Sequence, residues 1–210
     1  MVQYKKTISK NKLPDVIALQ EPFGRAQLPG CVTCAPPCEC TGKDIKMCTL
    51  VKTGSAFIDH APNVSEDSDT ERTLVEVVSD SGTRKNGLFV SNVYSAPSKR
   101  GLKHNFSTLS REAMAKVTSS LLLICDAPHT QWEYGTNSTK GKRLAALIDE
   151  LSLVVLNELA SHARIGQGAC RDTSLDLSIW SEAGAIAWSN FFGDLGSDHS
   201  PVPDCGRGQK

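Results

Sequence analysis

Short apolar runs recur along the chain at residues 16–19, 74–78, 88–94, 121–125, 153–156 and 175–180. Each has the length of a strand and is rich in Val, Leu and Ile. Two intervening segments carry a helical period instead: Phe106, Leu109, Ala113 and Val117 in the first, then Leu144, Leu147, Ile148 and Leu151 in the second. Strands therefore outnumber helices. Turn signals such as Asp80, Ser81, Gly82 and Thr83 join strands directly, so a strictly alternating doubly wound sheet fits poorly. The pattern predicts an α+β fold: a two-sheet β-sandwich flanked by helices. No internal repeat or linker divides the chain, and the expected organisation is one domain over residues 1–200 followed by an irregular tail at 201–210. The acidic run 66–71 and the Gly/Pro/Cys-rich stretch 29–42 read as loops between strands.

Composition agrees with that picture and adds exclusions. A chain of 210 residues, 40% hydrophobic and 22% charged, has the bulk of one globular domain and is neither disordered, collagen-like nor a coiled coil. At this length roughly 70% of the unfolded surface can be buried, so no disulfide or metal is needed to hold a core. Lys and Arg number 23, as do Asp and Glu, so attraction to a nucleic acid must come from local patches. The N-terminal segment has no signal-peptide core before Pro14, and nowhere do 18 apolar residues run together. An intracellular protein of nucleus or cytoplasm, neither secreted nor membrane-bound, is expected. The eight cysteines then read as reduced thiols, and the sequons at Asn63, Asn105 and Asn137 as unglycosylated.

Chemistry-bearing residues gather at the ends of the apolar runs, where a rigid scaffold can present them. Glu21 follows Val-Ile-Ala-Leu-Gln and is placed as a hard oxygen ligand, although a solvated strand-end glutamate reads the same way. Asp126 closes Leu-Leu-Leu-Ile-Cys and can orient a water or cap a turn. Asp176 alternates with Leu175, Leu177 and Ile179, which puts it with Ser178 on the opposite face. Ser197-Asp198-His199 joins a carboxylate to a base that titrates near neutrality, or forms only a turn.

The order of these pieces is more specific than any one of them. Ala-Leu-Gln-Glu-Pro, then Ser-Asn-Val-Tyr-Ser-Ala-Pro, the strand ending at Asp126, the helix beginning near Lys140, Ser-Leu-Asp-Leu-Ser-Ile-Trp and finally Leu-Gly-Ser-Asp-His-Ser-Pro span residues 14–201. This succession resembles the endonuclease/exonuclease/phosphatase superfamily, and within it the apurinic-type endonuclease domain of arthropod, tick-like, non-LTR retrotransposons. The resemblance implies that Glu21 and Asp198 contribute to a Mg²⁺ site, with Mn²⁺ as a substitute. It implies that His199 is the catalytic histidine, Asp176 the acid that orients it, Asp126 the aspartate that positions the attacking water, and Tyr94 the tyrosine beside the scissile phosphate. The implied activity is hydrolysis of a DNA phosphodiester, nicking the target for a reverse transcriptase of the parent element.

Three departures from the family pattern predict impaired catalysis. The opening strand with its metal-site asparagine is absent; Cys125-Asp126-Ala127-Pro128 stands where the family has Gly-Asp-Phe-Asn, so a second active-site asparagine is gone; and residues 201–210 cannot supply the closing core strand. A copy truncated at both ends is expected. The alternative is a catalytically dead nucleic-acid-binding or interaction remnant on the same fold; a phosphoinositide or other phosphoester substrate is a further one.

Basic clusters suggest where DNA would lie. Lys5, Lys6, Lys10 and Lys12 form one, Lys99, Arg100 and Lys103 a second, and Lys140, Lys142 and Arg143 a third. The last two are the candidate phosphate contacts, against the plain reading of solvated faces. Trp132 and Tyr134 can stack on a base or pack in the core. The cysteines at 31, 34, 38, 40 and 48 begin with a CxxC pair, but their irregular spacing and lack of a histidine before His60 make zinc a poor fit.

Overall fold

The computed structural model describes residues 13–22, 26–36, 45–60, 70–78, 87–95, 120–157 and 176–181. They form two sheets. The smaller has β1 (Val16–Gln20), β3 (Met47–Lys52) and β2 (Cys31–Cys34) in the order β1-β3-β2, all antiparallel. The larger has six strands in the order β4-β5-β6-β7-β9-β8: β4 (Phe57–Asp59), β5 (Thr70–Val77), β6 (Leu88–Ser95), β7 (Ser120–Asp126), β9 (Asp176–Trp180) and β8 (Val154–Val155). Within it only β6 and β7 pair in parallel. A parallel pair needs a crossover. Residues 96–119 carry that connection together with the first helical period, and they lie outside the described residues.

One face of the large sheet is covered by α1 (Thr139–Glu150), the second helical period of the sequence. Ser138 starts the helix by accepting the amide of Gly141 at 2.9 Å, which satisfies one of the donors a helix start leaves free. Leu153 N–H reaching back to the Ile148 carbonyl at 2.9 Å ends it, with Ser152 in the left-handed region at φ 52°. Leu144, Leu147 and Ile148 interlock with Val93, Leu123, Cys125, Leu177 and Ile179 of the sheet to make the main core. On the other face, Val51 and Cys34 of the small sheet meet Val75 of the large one. Beyond it, Ile17, Cys48 and Leu50 pack under Leu13, Ala26 and Leu28. The architecture is thus the expected α+β sandwich with a flanking helix.

The stretch 29–42 departs from its expected loop, since Cys31–Cys34 pair with β3 as an edge strand. β3 and β4 were not foreseen either. β3 is buried on both faces and carries Cys48 and Thr49 among its apolar residues, so it shows no alternation to read. β9 is likewise buried on both sides, Ser178 included, because it lies inside the sheet between β7 and β8. The four described cysteines, Cys31, Cys34, Cys48 and Cys125, are free thiols. Among the described residues no helix is long and apolar enough to cross a membrane.

Candidate active site

The two sheets meet through polar side chains where β1 crosses the end of β6. Asn92, fully buried in the middle of β6, donates to the carbonyls of Leu19 (3.3 Å) and Cys48 (3.1 Å), and its own oxygen accepts from Gln20 at 3.3 Å. Gln20 also donates to the Val93 carbonyl at 3.2 Å. A buried amide with partners on both of its ends is stable only in this geometry, so the seam fixes how β1 lies on β6. Thr49 and Thr73 make a second bond between the sheets.

That seam delivers Glu21. The residue leaves β1 at φ 49°, a conformation uncommon for a glutamate, and its N–H donates to the Lys46 carbonyl at 2.7 Å. Its exposed carboxylate accepts the hydroxyl of Tyr94, a buried ring only 6% accessible, at 2.7 Å. Lys46 in turn donates its N–H to Glu71 Oε2 at 3.1 Å, and Glu71 is the register partner of Tyr94. The turn at Glu21, the start of β3 and the adjoining ends of β5 and β6 are therefore stitched together.

Register extends the constellation across the large sheet. Tyr94 and Asp126 each follow directly on the Val93–Cys125 pair of β6 and β7, and Asp126 is paired with Asp176 of β9. Glu71, Tyr94, Asp126 and Asp176 therefore occupy one level on four adjacent strands. The exit of β7 is held rigidly. Buried Trp132 donates its indole N–H to the Ala127 carbonyl at 2.6 Å, and the Ser138 amide and hydroxyl both donate to the Pro128 carbonyl, at 3.0 and 3.1 Å. Trp132 therefore packs rather than offering a stacking face.

Of the residues singled out from sequence, Glu21 and Tyr94 are brought into contact, and Asp126 and Asp176 are brought into register beside them. Asp198, His199, Lys99, Arg100 and Lys103 lie outside the described residues. Lys142 and Arg143 are exposed on α1. Lys140 departs from the expected surface contact: it is 4% exposed, and its ammonium donates to the Ser95 carbonyl at 3.0 Å. Gln20, Asn92 and Glu71 were missed. The first two were legible as amides inside otherwise apolar strands; Glu71 was hidden in an acidic run read as a loop. Among the described residues no three His, Cys, Asp or Glu side chains gather as a metal cluster.

A model of the endonuclease-reverse transcriptase family matches residues 88–203. The fold is shared with the endonuclease domain of TRAS1, a telomere-specific non-LTR retrotransposon, at 20% identity and a TM-score of 0.73, covering 93% of this chain and 87% of that one. Truncated Caenorhabditis elegans TDP2 is similar at 16% identity and a TM-score of 0.62, with 95% and 87% covered. The human Nocturnin catalytic domain is similar at 15% and 0.60, with 92% and 81% covered. No curated protein matches the chain. The family match and the fold thus place the chain in an enzyme class, the endonuclease/exonuclease/phosphatase hydrolases. Within that class, the chain belongs to the endonuclease-reverse transcriptase family.

Proposed function

We propose that residues 1–200 act as a metal-dependent DNA endonuclease domain of a non-LTR retrotransposon, nicking target DNA by phosphodiester hydrolysis, and that turnover in this copy is impaired. The carrying observation is the Glu21–Tyr94 hydrogen bond at the level of Asp126 and Asp176, which joins four separate family motifs at one end of the sandwich. DNA is the proposed substrate, and a reverse transcriptase of the parent element the proposed partner.

The residues fit a hard divalent cation. Mg²⁺ takes oxygen ligands, commonly one or two carboxylates, and keeps the rest of its shell as water or phosphate oxygen. Glu21 offers an exposed carboxylate that, among the described residues, is in no ion pair. Asp198 is proposed as a further ligand. When bound, Mg²⁺ or Mn²⁺ would neutralise charge on the phosphate as it is attacked. Tyr94 holds the Glu21 carboxylate in place through its hydroxyl and lines the phosphate subsite. Asp126 holds the water that attacks phosphorus, and His199, oriented by Asp176, handles the proton. Impairment follows from the two residues after Asp126. Ala127 is fully buried in the helix-backed core and the Pro128 carbonyl is taken by Ser138, so neither supplies the amide side chain that would hold a phosphate oxygen.

A supercoiled-plasmid assay tests both parts. Slow Mg²⁺-dependent nicking that disappears in His199→Ala and Glu21→Gln is expected. Fast turnover lost in His199→Ala would contradict impairment. Salt-dependent DNA binding with no nicking at all would favour the non-catalytic module, the reading that Ala127 and Pro128 support.

A further inference from the structure

Lys140, Lys142 and Arg143 form one basic run in the sequence, yet the fold sends them to different places. Lys142 and Arg143 stay in solvent on α1. Lys140 turns inward, and its ammonium donates to the carbonyl of Ser95, the buried last residue of β6. Taking an ammonium out of water is costly unless it is well bonded, and a lysine that only had to meet a phosphate would keep its head group in solvent. The burial therefore serves something inside the protein.

The surroundings show what that is. Ser95 directly follows Tyr94, whose hydroxyl holds Glu21. The neighbour of Lys140 on the helix, Gly141, lies against the exit of β7: a Cβ there would fall 1.9 Å from the Pro128 carbonyl oxygen. Ser138 donates to that same oxygen twice. The first turn of α1 is thus seated on the end of β7, and Lys140 reaches from it across to the end of β6. The two strand ends that carry Asp126 and Tyr94 are tied to one rigid turn.

We propose that Lys140 is a positioning residue: its bond to the Ser95 carbonyl sets the Tyr94 hydroxyl against Glu21 and relative to Asp126, and it makes no contact with DNA phosphate. What Tyr94 and Asp126 do once positioned rests on the endonuclease reading; the positioning itself does not.

Three measurements on the full chain test it. In the native protein, acetylation of Lys140 followed by mass spectrometry is expected to be at least about tenfold slower than that of Lys142, because a buried amine reacts only on local opening. In ¹³C-tyrosine-labelled protein, the Tyr94 ring resonance, assigned by its loss in Tyr94→Phe, is expected to move in Lys140→Met and to return in Lys140→Arg. The slope of log affinity for DNA against log salt is expected to be unchanged in Lys140→Met, whereas loss of a phosphate contact would lower it by about one. Acetylation of Lys140 as fast as Lys142, with protection by DNA, would overturn the proposal. So would an unmoved Tyr94 resonance in folded Lys140→Met, or a reduced salt slope. Should Lys140→Met fail to fold, acetylation of the native chain decides. A chain that binds no DNA would sink the endonuclease reading, while acetylation and the Tyr94 signal still judge Lys140.

Discussion

The large sheet is packed differently on its two faces. Toward α1 it presents Val93, Leu123, Cys125, Leu177 and Ile179, which join the helix in one large apolar cluster, with Arg72 and Ser91 buried on the same face as the register partners of Val93 and Leu123. Toward the small sheet it presents a mixed surface in which Asn92 and Thr73 bond across the gap, and Val75, with Phe57 and Val77 beside it, joins a small apolar cluster. Non-directional burial makes the first face stable. Directional bonds make the second one specific: they select one placement of β1 on β6, and the ends of those two strands carry Glu21 and Tyr94. The main apolar core thus lies on one face of these strands, and the bonds that place β1 on β6 lie on the other.

The contrast predicts that changes on the two faces separate stability from metal binding. On the helix-backed face, Leu147→Ala leaves a cavity at a fully buried position and should cost about 2–5 kcal/mol in denaturant unfolding, with Mn²⁺ affinity retained by the folded fraction. Equal loss of affinity and stability would show that the two faces are not independent. Gly141→Ala probes the boundary between them. An alanine inside a helix ordinarily gains up to about 1 kcal/mol over glycine. Here the added Cβ would sit 1.9 Å from the Pro128 oxygen, and the backbone shift it forces should cost about 1–3 kcal/mol, so destabilisation wins. A rise in thermal midpoint would show the helix start to be looser than described.

On the polar face, Asn92→Leu keeps similar bulk but removes the bonds to the Leu19 and Cys48 carbonyls and to the Gln20 amide, which keeps its bond to the Val93 carbonyl. A loss of about 1–3 kcal/mol is expected, and here Mn²⁺ affinity should fall as well, which calorimetry on the folded variant would show.

The smallest effect concerns Cys34, at the edge where the sheets meet. Burial, and then the adjacent Asp59, push its thiol from the ordinary 9.0 up to about 12. The unfolded chain therefore releases this proton first, and the stability contribution present below pH 9 is lost as pH climbs toward about 12. Cys34→Ala should flatten the stability profile in that window; an unchanged slope would show the thiol is not shielded.

Much of this arrangement was legible in the residues, and the exceptions have a common cause. The runs at β1, β5, β6, β7 and β9, and the period of α1, are strong because one element type fits each. β2 is hidden because it lies in a Gly/Pro/Cys-rich stretch and is held as a half-exposed edge strand by its pairing to β3, and β3 because it is buried on both faces and shows no alternation. At the site, Glu21, Tyr94, Asp126 and Asp176 could be named from motif order, but their shared level is a matter of register, which a linear pattern does not encode. Lys140 shows the same limit. Lys142 and Arg143 of the same basic run are exposed, and only the position of Ser95 in space explains why Lys140 is not.

In the proposed function, the seam between β1 and β6 presents Glu21 as the ligand of a divalent cation. Titration of Mn²⁺ into the full chain, followed by electron paramagnetic resonance, tests it most directly. Binding by the native protein is expected, weakened about tenfold in Tyr94→Phe, which removes the hydroxyl that orients the carboxylate, and further in Glu21→Gln. Equal Mn²⁺ affinity in native and Glu21→Gln chains would contradict it.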